Sequence, residues 1–199
     1  MRKLLDMGIE QLKKLIREMG NDALSSLQRA SKSLNGGVES IADISSELHI
    51  LHGDVLNIAT ELLVRYSPVA GDLRFIQSAI DVSYDLYRIS RYAMEIERTA
   101  KVVGPFEMTP LLSRGFNLTL EALKTAVEAF ENLDEVATGR LLELDREIDD
   151  LYIHSLQGIK NPETCSPVEA LIMRHLERIS DHAKDIGAQV IYIKEGKRV

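Results

Sequence analysis

The chain has 199 residues, 45% of them hydrophobic and 28% charged, enough for one large domain or two small ones with real cores. A formal charge of −7 and a sequence pI near 5.3 argue against direct nucleic-acid binding, which normally uses a basic face. Aromatics are 5%, Trp is absent, and the single cysteine, Cys165, leaves no intrachain disulfide and fits a reducing cytoplasm.

The N-terminal stretch carries acids and amphipathic spacing, so neither a secretory leader nor membrane insertion is expected. No later run is apolar for long enough to span a bilayer. Leu4 to Leu34 reads as a first helix, on Leu5, Ile9, Leu12, Ile16, Met19, Ala23, Leu27 and Ala30, stopped by Asn35–Gly36–Gly37. Asp43 to Tyr66 is a second, on Ile44, Leu48, Leu51, Val55, Leu56, Ile58 and Leu62, broken by Ser67–Pro68. Asp72 to about Val103 is a third, on Leu73, Ile76, Ile80, Tyr84, Leu86, Ile89, Ala93 and Ile96, closed by Gly104–Pro105. Arg74 at its start reads as a surface arginine.

Pro110 to Leu133 is a fourth helix, with proline tolerated in its first turn. Asp134 to Ile159 is a fifth, with Asp134 as N-cap. Asn161 to Pro167 reads as a loop holding an unreactive Cys165. Pro167 to about Lys194 is a sixth helix with Ser166 as N-cap, followed by a frayed tail.

The two halves repeat. An offset of 100 residues places Ile41, Ile44, Glu47, Leu48 and Leu51 on Leu141, Leu144, Glu147, Ile148 and Leu151. An offset of 90 places Leu86–Ala93 on Leu176–Ala183. The expected architecture is therefore all-α, two tandem three-helix bundles over residues 1–104 and 105–199.

The second half carries carboxylates four apart: Asp145 with Asp149, and Glu177 with Asp181. This spacing stacks each pair on one helix face, where like charges repel by a few tenths of a kcal/mol. On a wheel of about 100° per residue, Asp145 and Asp149 fall at the edge of the apolar arc of Leu141, Leu144, Ile148, Leu151, Tyr152 and Leu156. An acid there needs a partner or a metal. Glu177 and Asp181 fall instead with Arg174, Arg178, Lys184 and Asp185. Salt bridges from Arg146, Arg174 and Arg178 account for the same acids, and spacing does not choose between the two. A metal held by these oxygens would be a hard cation such as magnesium, or iron or manganese; zinc is disfavoured by the lack of a Cys/His cluster. His175 and His182 wheel to the other side and read as packing or interface histidines. No nucleophile–base pair, phosphate loop or Glu-x-x-His motif accompanies the acids.

Three motifs in order resemble the PhoU family. Ser67–Pro68–Val69–Ala70–Gly71–Asp72–Leu73–Arg74 looks like its Q-P-x-A-x-D-L-R segment. Leu176–Glu177–Arg178–Ile179–Ser180–Asp181–His182–Ala183 looks like L-E-R-I-G-D-H-A, with Ser180 for Gly, and Leu144–Asp149 resembles the motif supplying the other acids. The resemblance implies a metal site on each bundle, with Asp145, Asp149, Glu177 and Asp181 as the ligands here. It also implies a non-enzymatic, cytoplasmic regulator of phosphate uptake that meets a phosphate ABC transporter ATPase and, in many bacteria, a sensor kinase.

The first half departs from that pattern: its equivalent positions hold Ser45, His49, Tyr87 and Arg91. One metal cluster is expected, not two, and regulation of another ion transporter or channel, for potassium or by sodium–phosphate transport, stands as the alternative. A carboxylate-bridged metal hydrolase or oxidase is the enzymatic alternative, without an identifiable general base. Broad amphipathic faces suggest a homodimer.

Overall fold

The computed structural model describes residues 2–37, 40–104, 107–160 and 166–198. Cys165, most of its loop, and Pro105 of the expected junction lie outside the described residues.

The apolar periodicity produces six helices: α1 (Arg2–Leu34), α2 (Ala42–Tyr66), α3 (Ala70–Val103), α4 (Pro110–Asn132), α5 (Ala137–Gly158) and α6 (Pro167–Glu195). No strand occurs among the described residues. The expected stripe of α1 is buried at every position from Leu5 to Ala30. Two stripe members elsewhere turn outward: Leu56 on α2 is 37% exposed and Tyr84 on α3 is 48% exposed. Both lie at the margin of an arc already filled, by Val55, Ala59 and Leu62 in one case and by Val82, Leu86 and Ile89 in the other.

Capping chemistry sets the ends. Gly36 adopts φ +85° after α1, where a glycine avoids the Cβ clash of the left-handed region, and the Gly37 N–H returns to Lys32 O at 3.1 Å. Thr109 and Ser166 accept hydrogen bonds from the N–H groups of Leu112 (3.2 Å) and Glu169 (3.1 Å), each ahead of a proline in the first turn. Asp134 does not cap α5. Its Oδ1 accepts from the Val136 N–H at 3.0 Å in a tight turn, and the helix starts three residues later, at Ala137. Arg74 is no free surface arginine either: its Nε donates to Ile193 O at 2.8 Å, satisfying a carbonyl in the last turn of α6. Beyond α6 the exposed tail carries a 2.9 Å Lys197–Glu195 pair, and the Arg198 guanidinium lies 4.6 Å from the Tyr192 ring centroid.

Helices α1, α2 and α3 pack on one another, as do α4, α5 and α6. The two groups meet along α3 against α6 and α1 against α4, and the buried side chains form one continuous cluster. The α3–α6 contact is antiparallel. Arg74 meets Ile193, Ser78 Oγ donates to Gln189 Oε1 at 2.9 Å, and Tyr92 lies against His175 with ring centroids 6.1 Å apart. Close approach within the second group is made at Gly187, where an added Cβ would stand 2.5 Å from Leu141 Cδ1. That contact brings α5 and α6 together beneath the acidic residues.

Candidate metal centre

The face shared by α5 and α6 carries all four carboxylates singled out by spacing. Asp145 is buried at 6% exposure because its position follows Leu144 into the core arc. It is fully engaged: Oδ1 accepts from Ser180 Oγ at 3.1 Å and Oδ2 from the Lys184 ammonium at 2.5 Å. Lys184 also donates to Asp181 Oδ1 at 3.1 Å, and Arg178 donates to Asp181 Oδ2 at 2.7 Å. Glu177, which the wheel places among the charged residues of α6, is buried at 8% exposure, and Arg174 donates to its Oε2 at 2.6 Å. Arg146, expected among the neutralising residues, is exposed and makes none of these contacts.

Asp149 is half-buried and accepts no hydrogen bond from the described residues. Burial raises its pKa above the usual carboxylate range, the charges of Asp145 and Asp181 add to this, and Lys184 opposes it. Glu177 is raised for the same first reason, with Asp181 next. Burial alone would lower Lys184, but its bonds to Asp145 and Asp181 outweigh that and raise it. The face is thus an acid-rich patch whose central counter-charge is one ammonium.

Among the described residues, no three of the four carboxylates bring oxygens within 4.8 Å of one another. The set that does meet this spacing is Asp85, His182 and Asp185, at the interface between the bundles. The donor set on α5 and α6 nevertheless suits a hard cation: it offers oxygen alone, and burial, with repulsion from neighbouring carboxylates second, holds Asp149 and Glu177 above their normal pKa. A divalent ion would take the electrostatic place of Lys184.

In the first bundle the same positions are occupied by other chemistry. Ser90 Oγ lies 3.1 Å from Ser45 Oγ, repeating the 3.1 Å contact of Ser180 with Asp145. His49 packs on Tyr87 with ring centroids 5.1 Å apart, and Arg91 is half-buried. No carboxylate stands at any of the four positions.

Periodicity alone did not single out Asp85, and it placed Lys184 with the acids of α6 without showing its reach to Asp145 on α5. The available signal for Asp85 was an acid set among Val82, Leu86 and Ile89 on the inward face of α3.

Two stacked three-helix groups with an acidic α5–α6 face define a class of duplicated helical-bundle protein. The model of the PhoU domain matches residues 9–100 and 112–190, and the chain belongs to the PhoU family. It is 31% identical over 175 residues to the phosphate-specific transport system accessory protein PhoU homolog of Archaeoglobus fulgidus, covering 86% of this chain and 83% of that one. It is 28% identical to PhoU homolog 1 of Thermotoga maritima, covering 98% and 88%. The fold matches the crystal structure of the phosphate transport system regulatory protein PhoU from Streptococcus pneumoniae with a TM-score of 0.86 at 20% identity, over 98% of this chain and 99% of that one.

Proposed function

We propose that this chain is a non-enzymatic, cytoplasmic, metal-binding regulator of phosphate uptake and phosphate signalling. It acts by contact with the ATPase of a phosphate ABC transporter, and with a sensor kinase where one is present. The supporting observation is the acidic face of α5 and α6, with Asp145 and Glu177 buried and Asp149 and Asp181 half-buried, in a chain whose relatives are named as accessory to phosphate-specific transport. Asp145, Asp149, Glu177 and Asp181 would hold the ion, and iron, magnesium or manganese suits their oxygen donors better than zinc. A bound cation supplies compact positive charge in place of a flexible ammonium. Asp145 and Asp181, now bonded to Lys184, would hold the ion, while Arg174 and Arg178 keep Glu177 and Asp181 oriented. Among the described residues, no helix is long and apolar enough to cross a membrane.

A homodimer is part of this reading. Light scattering at micromolar concentration should give twice the chain mass, and a monomer would remove that part alone.

Tagged protein recovered from its native cell should bring down a phosphate transporter ATPase. Recovery of a potassium or sodium–phosphate transporter instead would favour regulation of another ion system. The altered first-bundle positions Ser45, His49, Tyr87 and Arg91 are the observation that keeps this second reading in view.

A further inference from the structure

The first bundle has a cleft where the second has its acidic face. It lies between α2 and α3, encloses about 460 Å³, and is lined by Ser45, Ser46, His49, Tyr87, Arg91 and Met94 among others. Three features set it apart from the rest of this acidic chain. No carboxylate lines it. Arg91 is half-buried yet makes no hydrogen bond or ion pair with any described residue, whereas Arg88, Arg174 and Arg178 are each engaged. Its Tyr87 and Ser45 hydroxyls and an imidazole N–H of His49 can donate, while the Ser46 hydroxyl already donates to Ala42 O at 2.9 Å. Of the acids on these two helices, Glu47 lies close enough to Asp22 of α1 to raise its pKa, and Glu95 pairs with Arg98 at 3.6 Å.

We propose that this cleft is a site for a phosphoryl oxyanion. The repeat has kept the location and reversed the charge. Ser45 and His49, four apart on α2, replace Asp145 and Asp149; Tyr87 and Arg91, four apart on α3, replace Glu177 and Asp181. Donors therefore converge from two facing helices, which suits the several oxygens of a tetrahedral anion better than the two of a carboxylate. The guanidinium supplies a permanent charge and a forked pair of N–H groups. Ser45 is held in place by Ser90, and the His49 ring by Tyr87. The cleft is larger than the bare ion needs, so the phosphoryl group is either free inorganic phosphate or the head of a small organic monoester. The inference stands on the cleft alone and does not require the transport reading.

The test is heteronuclear NMR of the full chain, titrated separately with inorganic phosphate and O-phosphoserine. Chelator is present so that no metal on the second bundle carries the anion, and chloride at matched ionic strength is the control. Saturable shifts confined to His49, Tyr87, Arg91 and their neighbours are expected. Saturation by inorganic phosphate identifies the free ion; saturation by O-phosphoserine alone identifies an ester-borne group. Arg91→Ala should weaken binding by about tenfold or more, and Tyr87→Phe, which keeps the ring against His49, by a few fold. Helical content by circular dichroism should be unchanged in both. No saturable shift with either probe at millimolar concentration overturns the proposal. So does binding that Arg91→Ala leaves intact, or shifts that map to α5 and α6.

Discussion

Asp85 on α3 and His182 on α6 share a 2.8 Å hydrogen bond across the interface between the two helical groups, with side chains only 12% and 13% exposed. The repeat carries Asp85 onto His175 and Tyr92 onto His182, and Tyr92 lies against both histidines, at 6.1 and 5.7 Å. The interface is therefore itself organised by the duplication. Burial raises the pKa of Asp85, and the bond and charge of His182 work against that rise. The other ring nitrogen, Nε2, is buried without a hydrogen-bond partner among the described residues, so this contact stands on Nδ1 alone.

Removing that one partner should cost stability. His182→Ala leaves a buried carboxyl unsatisfied, and chemical denaturation should show a loss of roughly 1–3 kcal/mol. A change within about 0.5 kcal/mol, typical of an ordinary surface substitution, would mean the bond does not hold the interface.

The pH dependence of the acidic face has a definite sign. Asp149 has a folded-state pKa above its ordinary 3.8, so the folded chain binds its proton more tightly than the unfolded chain does. The contribution of this proton is fully present below the unfolded pKa and is lost as pH rises through the folded one. In metal-free buffer, Asp149→Asn should therefore gain in melting temperature relative to the unsubstituted chain between pH 4 and pH 7 (roughly the range from the unfolded pKa upward). A difference that stays constant, or falls, would remove Asp149 from the repelling group.

Lys184 should behave as an internal counter-ion. Lys184→Ala leaves Asp145, buried at 6% exposure, with only the Ser180 hydroxyl, at a cost on the order of 1–3 kcal/mol without metal. Because no ammonium then has to be displaced, added manganese should raise the melting temperature more in this variant than in the parent. An equal or smaller rise would show that Lys184 and the ion do not compete.

The helices were legible because their apolar residues recur at three and four, and because Ser166, Pro110 and Pro167 mark starts in a way that depends on neighbouring residues alone. Asp134 misled for the same reason: an Asx turn and an N-cap look alike until the next two residues are placed. The four carboxylates were legible as a shared face by their spacing and the repeat. Their neutralisation was legible within α6, where Arg174, Arg178 and Lys184 meet Glu177 and Asp181 as their spacing allows, but not across helices: Lys184 also reaches Asp145 on α5, where local charge spacing favoured Arg146, which faces solvent. The burial of Glu177 was not legible because a wheel shows one helix alone, while that burial is set by the neighbours of α6. Arg74 was read as free because its carbonyl partner lies at the far end of the chain.

The central claim is that a metal ion binds the second bundle alone, on Asp145, Asp149, Glu177 and Asp181. Paramagnetic broadening by sub-stoichiometric manganese in the NMR spectrum of the full chain tests it most directly, because the effect reports position. Broadening should centre on residues around Asp145, Asp149 and Asp181, spare His49 and Tyr87, and vanish in the Asp149→Asn, Asp181→Asn double variant, while Asp150→Asn on the exposed side of α5 leaves it intact. Broadening centred on the first bundle, or on Asp85, His182 and Asp185, or surviving in the double variant, would contradict it.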